Sequence, residues 1–197
     1  MVIHLSWQPS AKIALPIFDR LDKLGISRRC IKLIDSSYTA QAFITTDIDS
    51  NQITAFHPGA MAMSHQIKIA DAGKVSIAII APDGRDGMIE HARDCAAANI
   101  PFIFDPGQGL PMFNGEELTH FIELATYVAV NDYEAELLTE RTGLSLQQIA
   151  ERVSALIVTR GEQGAEIFTS DGRLDIPVVK VSDIVDPVSY THLTLPT

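Results

Sequence analysis

From about residue 75 onward, short apolar runs alternate with stretches of helical periodicity. The runs are Val75–Ile80, Pro101–Phe104, Tyr127–Val130 and Ala155–Thr159. They are nearly continuous in apolar residues, which is typical of strands buried on both faces. Strands that alternate with helices are joined by parallel crossover connections. The pattern therefore predicts an α/β fold with a parallel sheet flanked by helices.

The segments between these runs carry helix signals. Asn114 lies three residues before Glu117, and Ser145 three residues before Gln148, the spacing at which two side chains cap a helix N-terminus reciprocally. A further helix is predicted to begin at Asp132. Another is predicted by apolar residues that share one helical face, namely Met88, Ile89, Ala92, Cys95 and Ala96.

Antiparallel signals flank the alternating region. Residues 11–24 have helical spacing and end at Gly25, with the helix expected to begin around Pro16. Three strand-like runs separated by turn residues then predict an antiparallel meander. They are Cys30–Ile34, Gln41–Thr45 and Gln52–Phe56. After the last parallel strand, Ala165–Thr169 and Leu174–Val179 predict a hairpin.

Composition and charge exclude several classes of protein. A net charge of −10 over 197 residues argues against non-specific nucleic-acid and anionic-membrane partners, which require a basic surface. A nucleotide ligand stays open, because a few amides and one cation can hold a phosphate. Neither a signal peptide nor a membrane span is expected. Because Cys30 and Cys95 are far apart, no disulfide or zinc site is expected, and a reducing cytoplasm is the expected compartment.

Ligands of open α/β sheets bind beyond the carboxyl ends of the strands. The corresponding loops are Ala81–Gly87, Asp105–Pro111, Asn131–Glu134 and Thr159–Gly164. They contain no P-loop, dinucleotide or hydrolase motif. Two weaker patterns follow successive strands, N-x-x-E at Asn131 and T-x-G-x-x-G at Thr159. Taken singly, the first also suits a helix cap and the second a glycine-rich turn.

Together and in this order, these patterns resemble the ribokinase-like (PfkB) family of sugar and nucleoside kinases. The resemblance extends from about Thr39 to Pro187 and is strongest to bacterial adenosine-kinase-type members. It implies that Asn131 and Glu134 belong to a network that binds magnesium and the nucleotide phosphates. It also implies ATP contacts from Asn131 and from the turn residues Thr159, Arg160, Gly161 and Gly164.

The resemblance further implies that the meander at about residues 30–57 is a β lid over the substrate. Gln41, Phe43 and Phe56 are its candidate substrate contacts. Phe43 or Phe56 stacking on a nucleobase is one interpretation, and packing within a small sheet is the other. A homodimer through the lid is also expected.

Both ends of the chain depart from the family pattern. Asp186 begins the D-x-T-G-A-G-D motif that forms the family's anion hole, but Val188 and the residues after it do not continue the motif. His192 stands where the general base is expected, so no catalytic base is assigned. Residues 188–197 therefore read as a foreign tail and 1–10 as an atypical start, around a partial kinase domain at 11–187.

The expectation is a fragment of an ATP- and Mg²⁺-dependent small-molecule kinase, inactive as written. Adenosine kinase, which transfers a phosphoryl group to a ribose hydroxyl, is the leading interpretation. Two alternatives stay open. One is a sugar kinase of the same family, and the other is a catalytically dead module that binds nucleotides or partners.

Overall fold

The computed structural model describes residues 5–6, 14–46 and 52–179. Within these, the N-terminal part contains one helix and two pairs of strands. The elements are β1 (Leu5–Ser6), α1 (Ala14–Lys23), β2 (Leu33–Ile34), β3 (Gln41–Thr46) and β4 (Gln52–His57). A 3₁₀ helix over Gly59–Gln66 leads from β4 towards the main sheet.

The remaining elements alternate as the sequence predicts. They are β5 (Ala78–Ile80), α2 (Arg85–Ala97), β6 (Phe102–Phe104), α3 (Gly115–Leu124), β7 (Tyr127–Asn131), α4 (Asp132–Thr142), α5 (Leu146–Ala150), β8 (Ala155–Thr159), β9 (Ala165–Thr169) and β10 (Gly172–Ile176). Short 3₁₀ helices at Gly107–Met112 and Gly161–Gln163 follow β6 and β8. The helix starts at Asn114 and Ser145 carry the expected reciprocal caps.

Six strands form one sheet in the order β10-β9-β8-β7-β6-β5. Strands β5 to β8 are parallel, and β9 and β10 continue the sheet as an antiparallel hairpin. The α/β architecture with a mostly parallel sheet is thereby confirmed. β5 and β10 are the two edge strands of this sheet, and Ile79 on β5 is 60% exposed.

The core lies between the sheet and the helices that cover it. Phe104 and Phe121 stack with ring centroids 4.4 Å apart, and Phe113 meets Phe121 edge-on at 5.0 Å. These aromatic rings are buried, as are Val128 and Leu156 on the central strands. At roughly 25 cal/mol per Å² of apolar surface removed from water, this packing is the main stabilisation of the sheet.

The three-stranded meander expected at residues 30–57 is wrong. Only Leu33–Ile34 is extended in the first run, and it pairs in parallel with Leu5–Ser6. β3 and β4 form a separate two-stranded antiparallel hairpin. Strand pairing depends on which partner tertiary packing brings near, so a short run with strand propensity does not reveal its neighbour.

The β3–β4 hairpin is apolar on both faces. Its register places Phe43 opposite Ala55 and Phe56 opposite Ala42. Directly opposite residues point to the same face and successive residues to opposite faces, so the two phenylalanines lie on different faces. Phe43 is 63% exposed and Phe56 is 53% exposed. Neither phenylalanine is therefore buried within the small sheet.

Within the described residues, none of the helices combines the length and the apolar character needed to cross a bilayer. Cys30 and Cys95 are both buried free thiols.

Candidate functional site

The carboxyl ends of the parallel strands bring the candidate loops to one edge of the sheet. Asn131, the last residue of β7, is the Cα partner of Thr159, the last residue of β8. On the other side, Ile80 at the end of β5 pairs with Phe104 at the end of β6. The loops named from the sequence therefore emerge side by side.

Asn131 and Glu134 form a reciprocal cap at the start of α4. The Glu134 amide donates to Asn131 Oδ1 at 2.8 Å, and the Asn131 amide donates to Glu134 Oε2 at 2.9 Å. The capping interpretation of this N-x-x-E pattern is therefore confirmed. Asn114 and Glu117 form the same cap at α3, which provides an internal comparison for any additional role of the first pair.

Asp105 is a site residue that sequence reasoning did not single out. It directly follows β6, its amide donates to the Ile80 carbonyl at 3.0 Å, and its side chain is half-buried. Burial raises the pKa of Asp105, and the negative charge of Glu134 raises it further. The two carboxylates are therefore near enough to interact electrostatically. The available signal was an acidic residue immediately after a buried strand.

The turn after β8 is closed by its own backbone. The Arg160 amide donates to the Gly164 carbonyl at 2.8 Å, and the Gly164 amide donates to the Gly161 carbonyl at 3.1 Å. Gly161 has a φ of +52°, and a Cβ atom there would meet nothing within 4 Å, so its surroundings are open. A Cβ atom on Gly164 would lie 2.1 Å from the Ile176 carbonyl oxygen, so this glycine allows close packing against the end of β10.

Arg160 is held by a buried carboxylate. Its Nη2 lies 2.5 Å from Oε2 of Glu166 on β9, and Glu166 is only 8% exposed. That oxygen accepts no well-directed hydrogen bond within the described residues, so the contact is an ion pair. Thr159 itself is exposed at the strand end.

A groove of about 650 Å³ runs along β5. Its lining includes Ala40, just before the hairpin, and Asp83, beyond the end of β5. The backbone folds tightly at the hairpin base, where the Ala60 amide donates to the Tyr38 carbonyl at 2.8 Å. The hairpin that bears Gln41 and Phe43 therefore adjoins a groove that reaches the carboxyl edge of the sheet.

Two candidate residues, Asp186 and His192, lie outside the described residues. Among the residues that the structure describes, no group of three or more histidine, cysteine, aspartate or glutamate side chains is placed to hold a metal ion. A magnesium ion needs fewer protein ligands than that, because it keeps several of its waters.

The arrangement suits an anionic ligand with an accompanying cation. The N-terminus of α4 presents a positive dipole end, and the turn at Thr159–Gly164 exposes main-chain groups. Asp105 and Glu134 supply hard oxygen donors beside them. Such an edge can bind a phosphorylated ligand together with a divalent cation.

Sequence comparison identifies relatives that are kinases. The sequence model of the family described as pfkB family carbohydrate kinase matches residues 16–189. The chain is 32% identical over 167 residues to the nucleoside kinase of Methanocaldococcus jannaschii, covering 85% of this chain and 55% of that protein. The chain thus spans about half the length of the curated relatives it matches.

Structural comparison agrees. The nucleoside kinase of Burkholderia thailandensis in complex with inosine superposes with a TM-score of 0.84 and 52% identity, covering 95% of this chain and 60% of that one. Its complex with ADP-inosine gives a TM-score of 0.83 at 52% identity, covering 95% and 57%.

Proposed function

The chain belongs to the pfkB family of carbohydrate kinases, and from this premise we propose that it forms the lid and the nucleotide side of a nucleoside kinase. The reaction is transfer of the γ-phosphoryl group of ATP to a ribose hydroxyl of a nucleoside such as adenosine. The observation that carries the proposal is the pairing of Asn131 with Thr159, which joins the α4 N-terminus to the glycine turn.

The adenine nucleotide occupies the turn side of this edge. Thr159, Arg160, Gly161 and Gly164 form the turn, and the open surroundings of Gly161 let a ligand approach the main chain closely. Asn131 orients the α4 N-terminus, whose amides and dipole favour phosphate oxygens. Phosphoryl transfer depends mainly on such positioning and charge stabilisation.

Asp105 and Glu134 would hold the magnesium ion that accompanies ATP. The pair fits this ion, because the Glu134 charge raises the cost of ionising Asp105 and a divalent cation beside them would offset that repulsion. Mg²⁺ supplies neutralisation of the phosphate charge when bound. Glu134 uses Oε2 for the cap, so Oε1 is the oxygen that would serve the hydrated ion.

The acceptor is a nucleoside in the groove beneath the lid. Nucleoside kinases are the sequence relatives at 32% and 26% identity, and the neighbour at 52% identity was solved with inosine. One of Phe43 and Phe56 stacks on the base, and because they lie on opposite faces only one can do so. Closure of the lid excludes water, which limits hydrolysis of ATP.

The outward face of the lid supports a homodimer. Phe43 and Ile53 are exposed on one face, and Ile44 and Phe56 on the other. Since one face alone can close on the groove, we propose that the other packs against the lid of a second copy. Burial of apolar surface between two such faces would stabilise the pair.

Turnover by this sequence is not expected. The family motif that supplies the anion hole and the base begins at Asp186, but His192 occupies the base position and Ser189 and Thr191 occupy the glycine positions. Side chains at these positions oppose the close backbone approach that an anion hole requires.

Ligand binding tests the proposal on the full chain. Titration calorimetry with ADP and Mg²⁺ should show a saturable site, and adenosine or inosine should then bind more tightly than fructose. Thr159→Val should weaken ADP binding, whereas the matched control Thr139→Val, on the body of α4, should not. Absence of ADP binding would overturn the nucleotide assignment, and preference for fructose would favour the sugar kinase alternative.

A further inference from the structure

Glu166 is the one buried carboxylate among the residues that the structure describes. It lies on β9, opposite Val158 of β8 on one side and Asp175 of β10 on the other. Val158 is fully buried, so Glu166 occupies a position where an apolar side chain would fit the core. Burying a charged group is costly unless other charges and hydrogen bonds compensate it.

Two arginines provide that compensation. Arg160 Nη2 lies 2.5 Å from Glu166 Oε2, and Arg173 Nη2 lies 2.6 Å from Glu166 Oε1. Arg173 also contacts Asp175, with Nη2 to Oδ1 at 2.7 Å. The result is a row of alternating charge, Arg160–Glu166–Arg173–Asp175, that links the turn after β8 to the edge strand β10.

The two ends of the row differ in burial and in their distance along the chain from the turn after β8. Arg173 and Asp175 are half or more exposed, at 50% and 69% of their side chains, and a surface ion pair of this kind contributes little to stability. Arg160 is 31% exposed and belongs to the turn itself. Its Nε is buried without a hydrogen-bond partner within the described residues, so Glu166 is its main anchor.

We propose that Glu166 is a positioning residue of the nucleotide site, which acts by holding the Arg160 guanidinium and thereby the turn Thr159–Gly164. This rests on the proposed function, because the turn is assigned to the nucleotide there. Without the carboxylate, Arg160 loses its anchor and the turn loses its ionic link, through Glu166, to Arg173 on β10. Loss of this anchor weakens nucleotide binding. Glu166 therefore serves nucleotide binding more than the stability of the whole fold.

A double-mutant cycle on the full chain tests this role. ADP affinity is measured by calorimetry for Glu166→Gln, Arg160→Met and the double variant. Each single change should weaken ADP binding by about tenfold, which is within the range of coupling energies between directly contacting side chains. The double variant should bind ADP no more weakly than Arg160→Met does. Asp175→Asn, which removes the carboxylate opposite Glu166 without touching Arg160, is the matched control and should leave affinity unchanged.

Hydrogen exchange provides a readout that does not need a nucleotide. Glu166→Gln should speed exchange of the Arg160, Gln163 and Gly164 amides, which hold the turn together, and leave the Ala125 amide of α3 unchanged. In the Arg160→Met background the substitution should add nothing. Glu166→Asp, which keeps the charge, replaces Glu166→Gln if that variant does not fold, and should show the same changes in smaller degree.

The outcomes separate the two proposals. If the unsubstituted chain binds no ADP, the proposed function fails, and exchange at the turn still decides the role of Glu166. If Glu166→Gln weakens binding or speeds exchange equally with and without Arg160, Glu166 does not act through Arg160 and the inference is overturned. Unchanged binding and exchange in Glu166→Gln overturn it as well.

Discussion

Asn131 and Thr159 are Cα partners at the carboxyl ends of β7 and β8. Asn131 caps α4 together with Glu134, and Thr159 opens the turn that closes at Gly164. Two adjacent strands therefore deliver a helix N-terminus and a stretch of exposed main chain to the same place. A nucleotide with a charged phosphate chain and a planar base can use both.

The two asparagine caps allow the binding role of Asn131 to be separated from its structural role. Asn131→Ala and Asn114→Ala each remove one half of a reciprocal cap, so each should cost about 1 kcal/mol of unfolding free energy. Only Asn131→Ala should also weaken ADP binding. Urea unfolding and calorimetry measure the two effects. Equal loss of stability with unchanged ADP affinity in both variants would leave Asn131 as a cap alone.

Asp105→Asn should stabilise the fold at neutral pH. The folded-state pKa of Asp105 is raised above its ordinary value of 3.8, first by burial and then by Glu134. Stability from a group with a raised pKa is present at low pH and is lost as pH rises through the folded pKa. At pH 7 the ionised carboxylate therefore destabilises the protein, and the neutral amide does not.

The gain in melting temperature from Asp105→Asn should shrink as pH falls through the raised pKa and vanish below about pH 3.8. The same substitution should weaken Mg²⁺-dependent ADP binding. Glu151→Gln, at the exposed end of α5, is the control and should change neither property. A drop in melting temperature at pH 7 would contradict the assigned electrostatics.

The Cys95 thiol should resist alkylation in the native protein. It is fully buried, and burial, with a smaller effect of Asp94, raises its pKa to about 11. Iodoacetamide at pH 8 should label Cys95 only after unfolding in urea, as peptide mass spectrometry can measure. Labelling of Cys95 in the folded chain would show that α2 opens readily.

The same thiol should make stability depend on alkaline pH. Because the pKa of Cys95 is raised in the folded state, the thiol's contribution to the free energy of unfolding is complete below about pH 9. This contribution declines as pH rises through about 11. Relative to Cys95→Ala, the unfolding free energy should fall by about 2 to 3 kcal/mol, since each tenfold change in the ionisation constant corresponds to about 1.4 kcal/mol. Parallel pH dependence of both proteins would contradict this.

Association through the lid should depend on its exposed apolar side chains. Ile53 is 77% exposed on the hairpin, and Val179, beyond β10, is 82% exposed. Ile53→Lys on the Phe43 face and Ile44→Lys on the Phe56 face place a charge on opposite sides of the hairpin. The variant on the dimer face should shift the chain from dimer to monomer in sedimentation velocity, because a buried unpaired ammonium opposes the contact. Val179→Lys is the matched control. A shift with Ile79→Lys and with neither hairpin variant would place association at the β5 edge instead.

The sequence alone determined the α/β class, the parallel direction of the core strands and the helix starts at Asn114, Asn131 and Ser145. These features follow from local chemistry, since apolar periodicity and capping spacing act within a few residues. The glycine turn at Thr159–Gly164 could be predicted from the sequence for the same reason. Asp105 could be predicted only in part, because the sequence shows that it follows a strand but does not show that it lies near Glu134.

Tertiary structure decided everything that depends on strand partners. It paired Leu33–Ile34 with Leu5–Ser6 rather than with the hairpin, and it set Phe43 and Phe56 on opposite faces. It also brought Glu166 between Arg160 and Arg173. Register and pairing arise from packing between segments distant in the chain, and no local pattern encodes which charged side chain a folded sheet will bury.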